Sequence, residues 1–176
     1  MRSIKPLSKK ALAVFRVLTE GFAKVGDHRK VRQSEQFMPV SVEAVDTTPQ
    51  GALIVSVAHY YEQNGDLMAD PEVTFVVARD EYVFPISFRQ DNLGIDQKHV
   101  RWEGAKVYWN LAKQNDLAAF CNQWMENIQH QQYGGRLPAK PKQATVSPDP
   151  PSPAQAEIPA SSTTVSIPQG GEPHDG

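Results

Sequence analysis

The sequence predicts an α+β domain: an antiparallel meander of four to five strands flanked by an N-terminal and a C-terminal helix, followed by a disordered tail. Three observations carry this. An apolar stripe of helical period occupies the first 25 residues, Val- and Ile-rich runs separated by turn residues fill the middle, and aromatic residues are absent after Tyr133.

Ser8 can cap a helix in which Leu12, Phe15, Leu18, Phe22 and Val25 recur at spacings of three and four, with Gly26 expected to end it. The polar, basic stretch from there to Gln36 shows no periodicity and reads as a loop. Met38 to Val45 and Ala52 to Tyr61 flank Asp46-Thr47-Thr48-Pro49-Gln50-Gly51, which is turn chemistry, and are expected to form an antiparallel pair. Val73 to Arg79 and Tyr82 to Phe88 form a second pair. With Asp80-Glu81 as its turn, Val73 faces Phe88, Phe75 faces Ile86, Val77 faces Phe84, and on the reverse side Glu72 faces Arg89 and Thr74 faces Ser87.

Asn64-Gly65 is the strongest hairpin signal in the chain, because both residues tolerate the positive φ of a type I′ turn. This turn sets Gln63 against Asp66, Tyr61 against Met68, His59 against Asp70 and Ile54 against Phe75. Pro71 lacks an N–H, so the ladder is expected to break there. In this register Leu53, Val55, Val57 and Val76 fall on the second sheet face, which then needs a covering helix or a partner. Gln90 to Gly104 is polar, and Lys106 to Leu111 is a last strand or a lead into the second helix. Asn115 is the expected cap of that helix, with Leu117, Phe120, Cys121, Trp124 and Ile128 on one face and Gly134-Gly135 closing the fold.

The organisation expected is a basic helix and loop packed on the domain (1–36), the α+β domain (37–133) and a Pro/Ser/Thr-rich disordered tail (134–176). The tail holds nine of the fourteen prolines and no Phe, Tyr or Trp, too little apolar surface to offset its ordering entropy. Charge is unevenly spread. Residues 1–32 carry nine Lys and Arg against Glu20 and Asp27, a net of +7 that leaves −9 elsewhere in a chain of net charge −2. One cysteine excludes an internal disulfide and a cysteine zinc cluster. No apolar stretch approaches the roughly 20 residues of a membrane span, and no signal peptide is evident, so the expected location is the cytoplasm and no membrane partner is expected.

The densest set of polar and aromatic side chains is His59-Tyr60-Tyr61-Glu62-Gln63-Asn64-Gly65-Asp66-Leu67-Met68-Ala69-Asp70-Pro71-Glu72. This string, with the later Phe120-Cys121-Asn122-Gln123-Trp124-Met125-Glu126-Asn127-Ile128, resembles a family of short bacterial proteins of unknown function associated with plasmids and integrative elements. The resemblance spans about Phe37 to Tyr133. It implies an accessory gene of mobile DNA and carries over no catalytic residue.

Three functions follow from the residues. The first is a non-enzymatic protein-binding module acting through a sheet edge and the hairpin, with His59, Tyr61, Glu62, Asn64, Gly65, Asp66, Asp70 and Glu72 as the partner-binding candidates. The second is a nucleic-acid binder using Arg29, Lys30 and Arg32 of the basic arm. The third is a metal-dependent enzyme, because His59 and the hairpin carboxylates are ligand types for Mg²⁺ or Mn²⁺. Their spacing matches no metal motif, no nucleophile stands beside His59, and no phosphate-binding glycine loop occurs, so no catalytic residue, metal or cofactor is expected. The partner and the oligomeric state are not specified by the sequence.

Overall fold

The computed structural model describes residues 3–79 and 82–138. In chain order it contains α1 (Lys9–Leu18), β1 (His28–Val31), β2 (Val40–Thr47), β3 (Leu53–Gln63), β4 (Asp66–Arg79), β5 (Tyr82–Gln90), a 3₁₀ turn (Asp91–Leu93), β6 (Ile95–Lys98), β7 (Val100–Glu103), β8 (Lys106–Trp109) and α2 (Leu111–Tyr133). The α+β class and the meander stand, but the strand count is corrected. β1 to β6 form one antiparallel sheet in sequential order, and β7 and β8 form a separate hairpin. The three added short strands lie in stretches too polar for a strand signal: His28-Arg29-Lys30-Val31 buries only Val31, and β6 buries no residue. The Asp80-Glu81 turn and the tail from residue 139 lie outside the described residues.

Ser8 caps α1 as expected, its hydroxyl accepting from the Ala11 N–H. The helix stops at Leu18 rather than running to Gly26. Gly21 adopts φ +81°, and Thr19 returns its hydroxyl to the Phe15 carbonyl. The missing turns are replaced by a side chain from β1: the Arg29 guanidinium donates to the carbonyls of Val17, Leu18 and Glu20 at 3.2, 3.4 and 2.8 Å. A cation set against the exposed carbonyls of a helix C-terminus is favoured by both hydrogen bonding and the helix dipole.

Both helices cover the same sheet face. There Phe15 and Leu18 of α1 meet Val40, Val42, Val55, Val57, Val73 and Phe75 of the sheet and Leu117, Cys121, Trp124, Met125 and Ile128 of α2. Phe15 and Phe75 pack with ring centroids 5.2 Å apart. α2 begins at Asn110, whose side chain accepts from the Lys113 N–H, not at Asn115, and it ends at Gly134 with φ +59°. Phe120, expected in the buried face, is exposed at its margin but still contacts Phe88 and Trp124.

The register of β3 and β4 explains a second correction. Gln63–Asp66 and Tyr61–Met68 pair as expected, then the ladder slips by one residue between Tyr60–Ala69 and Ala58–Glu72. Pro71, with no N–H to give the ladder, sits in this interruption. Because strand side chains alternate, the slip exchanges the two faces beyond it. Val55 therefore faces Phe75, and Leu53, Val55 and Val57 belong to the helix-covered core. Ile54 instead joins Val76 and Ile86 on the second face, where the β7–β8 hairpin covers them with Val100 and Trp102 in place of the expected helix. A further bulge in β5 sets Phe75 opposite Pro85 and Val77 opposite Val83, while Glu72–Arg89, Val73–Phe88 and Thr74–Ser87 pair as expected.

Two glutamines of α2 are fully buried yet satisfied. Gln114 accepts from the Lys5 N–H and donates to the carbonyls of Lys5 and Pro85, fastening the N-terminal segment beside β5. Gln132 accepts from the Gln33 N–H and donates to the Met38 carbonyl, fastening the β1–β2 connection. Asn122 receives the Ser8 N–H in the same manner. Residues 5–36 thus share a core and a sheet with the rest of the domain.

Candidate functional site

The β3–β4 hairpin outruns its neighbours. β2 pairs with β3 only as far as Ala58, and β5 pairs with β4 only from Glu72, so Tyr60–Gln63 and Asp66–Ala69 pair solely with each other. The result is a two-stranded finger projecting from the sheet. Its tip is the expected type I′ turn, with Asn64 at φ +56° and Gly65 at φ +88°. Leu67 near the tip is 68% exposed, and Glu62, Gln63, Asn64, Gly65 and Asp66 are exposed around it.

A two-stranded ribbon in water is marginal by itself, and the base of this one is braced on both faces. On the helix side His59 is only 5% exposed, with Nδ1 3.0 Å from the Pro39 carbonyl and its ring edge-on to Trp124. The carbonyl can only accept, so Nδ1 carries the proton. Burial pushes the His59 pKa below its usual value, although the Pro39 carbonyl and the Asp70 charge oppose this. His59 therefore roots the finger in the core; it does not form part of the rim, and it does not bond Asp70. Asp70 accepts instead from Gln90 Nε2 at 2.8 Å.

On the open side a polar chain crosses three strands. The Ser56 hydroxyl donates to Glu72 Oε1 at 2.8 Å, and the Arg89 guanidinium lies 3.8 Å from Glu72 Oε2. Arg89 also grips Asp91 through two hydrogen bonds, of 2.6 and 3.1 Å, and Asp91 in turn accepts the Ala69 N–H at the outer edge of the finger. The Arg89 side chain and the Ala69 N–H hold the Asp91 carboxyl below the ordinary carboxylate range. Tyr60 lies beside Glu72, and its hydroxyl pKa is pushed up to about 12, first by burial and then by the Glu72 charge. Arg89 is half exposed, so these pairs are partly screened and add modest stability, while they tie the base of the finger to β5 and the 3₁₀ turn.

The eight expected partner-binding residues thus divide. Glu62, Asn64, Gly65 and Asp66 lie at the exposed tip, Tyr61 is half-buried on the stem, and His59, Asp70 and Glu72 belong to the bracing. Arg29, Lys30 and Arg32 do not converge. Arg29 caps α1 and lies over the Phe22 ring, Lys30 projects from the opposite face of β1, and Arg32 pairs with Glu35 at 3.3 Å. Among the described residues no three His, Cys, Asp or Glu side chains are grouped to hold a metal ion. The Cys121 thiol is buried, and burial raises its pKa, which suppresses the thiolate. Ser56 and His59 lie on opposite faces of β3, so the Ser56 hydroxyl does not stand beside the imidazole.

One signal was missed. From Gln33 to Ala78 the chain has seven carboxylates and no Lys or Arg. These residues supply β2, β3 and most of β4, so the finger and the strands behind it are acidic, while the basic residues fall at Arg32 and before it and at Arg79 and after it. Counting Lys and Arg by segment would have found this without a structure.

Residues 10–134 match the family described as a domain of unknown function, DUF6908, and the chain belongs to that family. The match begins within α1, so the first helix is part of the family domain and not an appendage to it. No curated protein and no solved structure gives a match. Among the described residues no helix is long and apolar enough to cross a membrane.

The state of His59 sets a pH dependence. Its folded pKa lies below the value of 6.5 that it takes in an unfolded chain, so the unfolded state binds the proton first as pH falls. Stability is therefore complete above that value and declines as pH drops through it towards the folded pKa. His99, lowered first by burial and then by Lys113, contributes in the same direction. Urea midpoints measured from pH 7.5 down to pH 5 are expected to fall in the intact protein, to keep most of that slope in His99→Gln, and to lose most of it in His59→Gln.

Proposed function

We propose that this domain is a non-enzymatic protein-binding module that presents the β3–β4 finger to a protein partner. The observation that carries the reading is the projection itself: a braced ribbon with an exposed Leu67 at its tip, set beyond every other strand of the sheet. An apolar side chain held out on a rigid support gives up little on folding but much on docking, which is how interface anchors work. Of the hairpin's candidate ligands, His59, Asp70 and Glu72 are engaged internally and the Glu62 and Asp66 carboxylates stand apart at the tip, which favours this reading over a metal-dependent enzyme. The separate positions of Arg29, Lys30 and Arg32 favour it over a nucleic-acid binder. Service as an accessory protein of bacterial mobile DNA is the part of the proposal that rests on the sequence resemblance alone.

The test places a photoreactive phenylalanine analogue at Leu67 and, separately, at the exposed Val25 in the native host. A discrete adduct from position 67 and none from position 25 is expected. Gly65→Val supplies the control. Its added Cβ meets nothing within 4 Å, but φ +88° is unfavourable for a β-branched residue, so the tip distorts while the core persists. Loss of the adduct in Gly65→Val, with the melting temperature changed by no more than about 4–8 °C, supports the finger as the contact. An adduct pattern indifferent to that change counts against it.

A further inference from the structure

We propose that β8 is the edge through which two copies of this chain pair, strand against identical strand, about a two-fold axis at Tyr108. All four residues of β8 are exposed, including Tyr108 at 40% and Trp109 at 49%, although half of the strand is aromatic. Its hydrogen-bonding edge is also unoccupied. Glu103 and Lys106 face each other across the two-residue turn, Arg101 faces Tyr108, and the Asn110 N–H donates to the His99 carbonyl at 2.9 Å. In an antiparallel pair alternate residues direct their backbone groups to the neighbour. Lys106, Tyr108 and Asn110 thus turn theirs towards β7, and Val107 and Trp109 turn theirs away from it. Among the described residues, neither Val107 nor Trp109 has a backbone partner on that side.

The occupant follows from this pattern, because the strand is complementary to itself in a single register. Centring on Tyr108 sets Val107 against Trp109 of the second copy, and Trp109 against its Val107. Each of these pairs exchanges two N–H···O bonds, so every outward-facing group of β8 is used. Centring on Val107 would set Trp109 against Ala105 of the turn, and centring on Trp109 would set Val107 against Leu111, where α2 begins. Neither alternative satisfies both residues.

Side chains agree with the same register. Val107 and Trp109 share a face of the hairpin with Val100 and Trp102, which rest on Ile54, Val76 and Ile86. Pairing two copies therefore extends an existing apolar cluster across the axis. On the other face the two Tyr108 rings meet, each with its own Arg101 guanidinium 4.9 Å away, and Lys106 faces Asn110, so no like charges oppose each other. An unpaired edge strand with exposed aromatics is otherwise a liability that folded proteins suppress.

Residues at the axis of an antiparallel non-hydrogen-bonded pair have Cα atoms about 4.5 Å apart, within the span a disulfide bridges, about 4.4–6.8 Å. Full-length Tyr108→Cys is therefore expected to form a disulfide-linked dimer under mild oxidation. Lys106→Cys, off the axis, is expected to form at least tenfold less, and the buried Cys121 to remain free. In sedimentation equilibrium the intact chain should rise from monomer to dimer mass with concentration. Val107→Pro removes one outward N–H without touching the bonds to β7, and should weaken that association at least tenfold. Gly65→Val should leave it unchanged, which separates this edge from the finger. The proposal is overturned if the intact chain stays monomeric up to about 1 mM, leaving the edge to another protein's strand or to none. It is equally overturned if Lys106→Cys cross-links as readily as Tyr108→Cys, or if Val107→Pro leaves the association untouched.

Discussion

Phe75→Ala lowers the stability of the domain by about 3–5 kcal/mol, the range for deleting a buried aromatic ring whose surroundings relax only in part. Phe75 is wholly buried in the middle of β4 and packs on Phe15 from α1 with centroids 5.2 Å apart. The ring joins the sheet to the first helix of the chain. A domain of this size has a total stability of only about 5–15 kcal/mol, so the variant is expected to unfold well below the urea midpoint of the parent. Phe75→Leu, which keeps most of the volume, should recover more than half of the loss in the same titration. A Phe75→Ala variant with an unchanged midpoint would mean that α1 does not pack on the sheet.

Gln114→Leu is expected to have the next largest effect, about 2–4 kcal/mol, although the substitution makes the residue more apolar. Leucine fills similar space but leaves the Lys5 N–H and the carbonyls of Lys5 and Pro85 without the partners they have now. Stranding a buried polar group costs about 1–3 kcal/mol each, and partial access of water to Lys5 reduces the sum. The loss should be local in origin, because among the described residues the only direct backbone bond between this segment and β5 runs from the Leu7 N–H to the Val83 carbonyl. Amide hydrogen exchange is the discriminating measurement: exchange at the Lys5 and Leu7 amides should accelerate in Gln114→Leu ahead of any in α2. Equal acceleration at both places would indicate global unfolding and not release of the segment.

Sequence carried the signals that are local. Ser8 as a cap, Asn64-Gly65 as a turn and Gly134 as a stop each follow from the conformation one residue prefers, and each is found in place. The first registers beside a turn were also legible, because counting outward from Asn64-Gly65 needs no knowledge of the rest of the sheet. What failed was accumulated counting: Pro71 interrupted the ladder, a single slipped residue exchanged the faces, and Ile54 and Val55 swapped roles. The end of α1 could not be read, since the group that terminates it, the Arg29 side chain, returns from β1. β1, β6 and β7 were hidden because each is short and held by its neighbour more than by its own apolar content.

For the site, the sequence located the hairpin and its turn but not the division of labour within it. His59 looked like a surface group because it adjoins Tyr60, Tyr61 and Glu62; the slip beside Pro71 sends it inward to Pro39 and Trp124. The bracing through Arg89, Asp91 and Gln90 comes from a strand end and a 3₁₀ turn some twenty residues away, and no local pattern announces it.

The two buried glutamines of α2 have a consequence for which lengths of this helix can be inherited. Positions 114 and 132 are eighteen residues apart, which is five whole turns at 3.6 residues each, so both side chains emerge on one line along the helix. Insertion or deletion of one residue between them would rotate Gln132 by about 100° and move it by about 1.5 Å along the axis. It could then no longer reach the Gln33 N–H and the Met38 carbonyl while Gln114 still held Lys5. The helix therefore works as a ruler with two marks, and length variation among related chains should fall in the connections outside it or not at all.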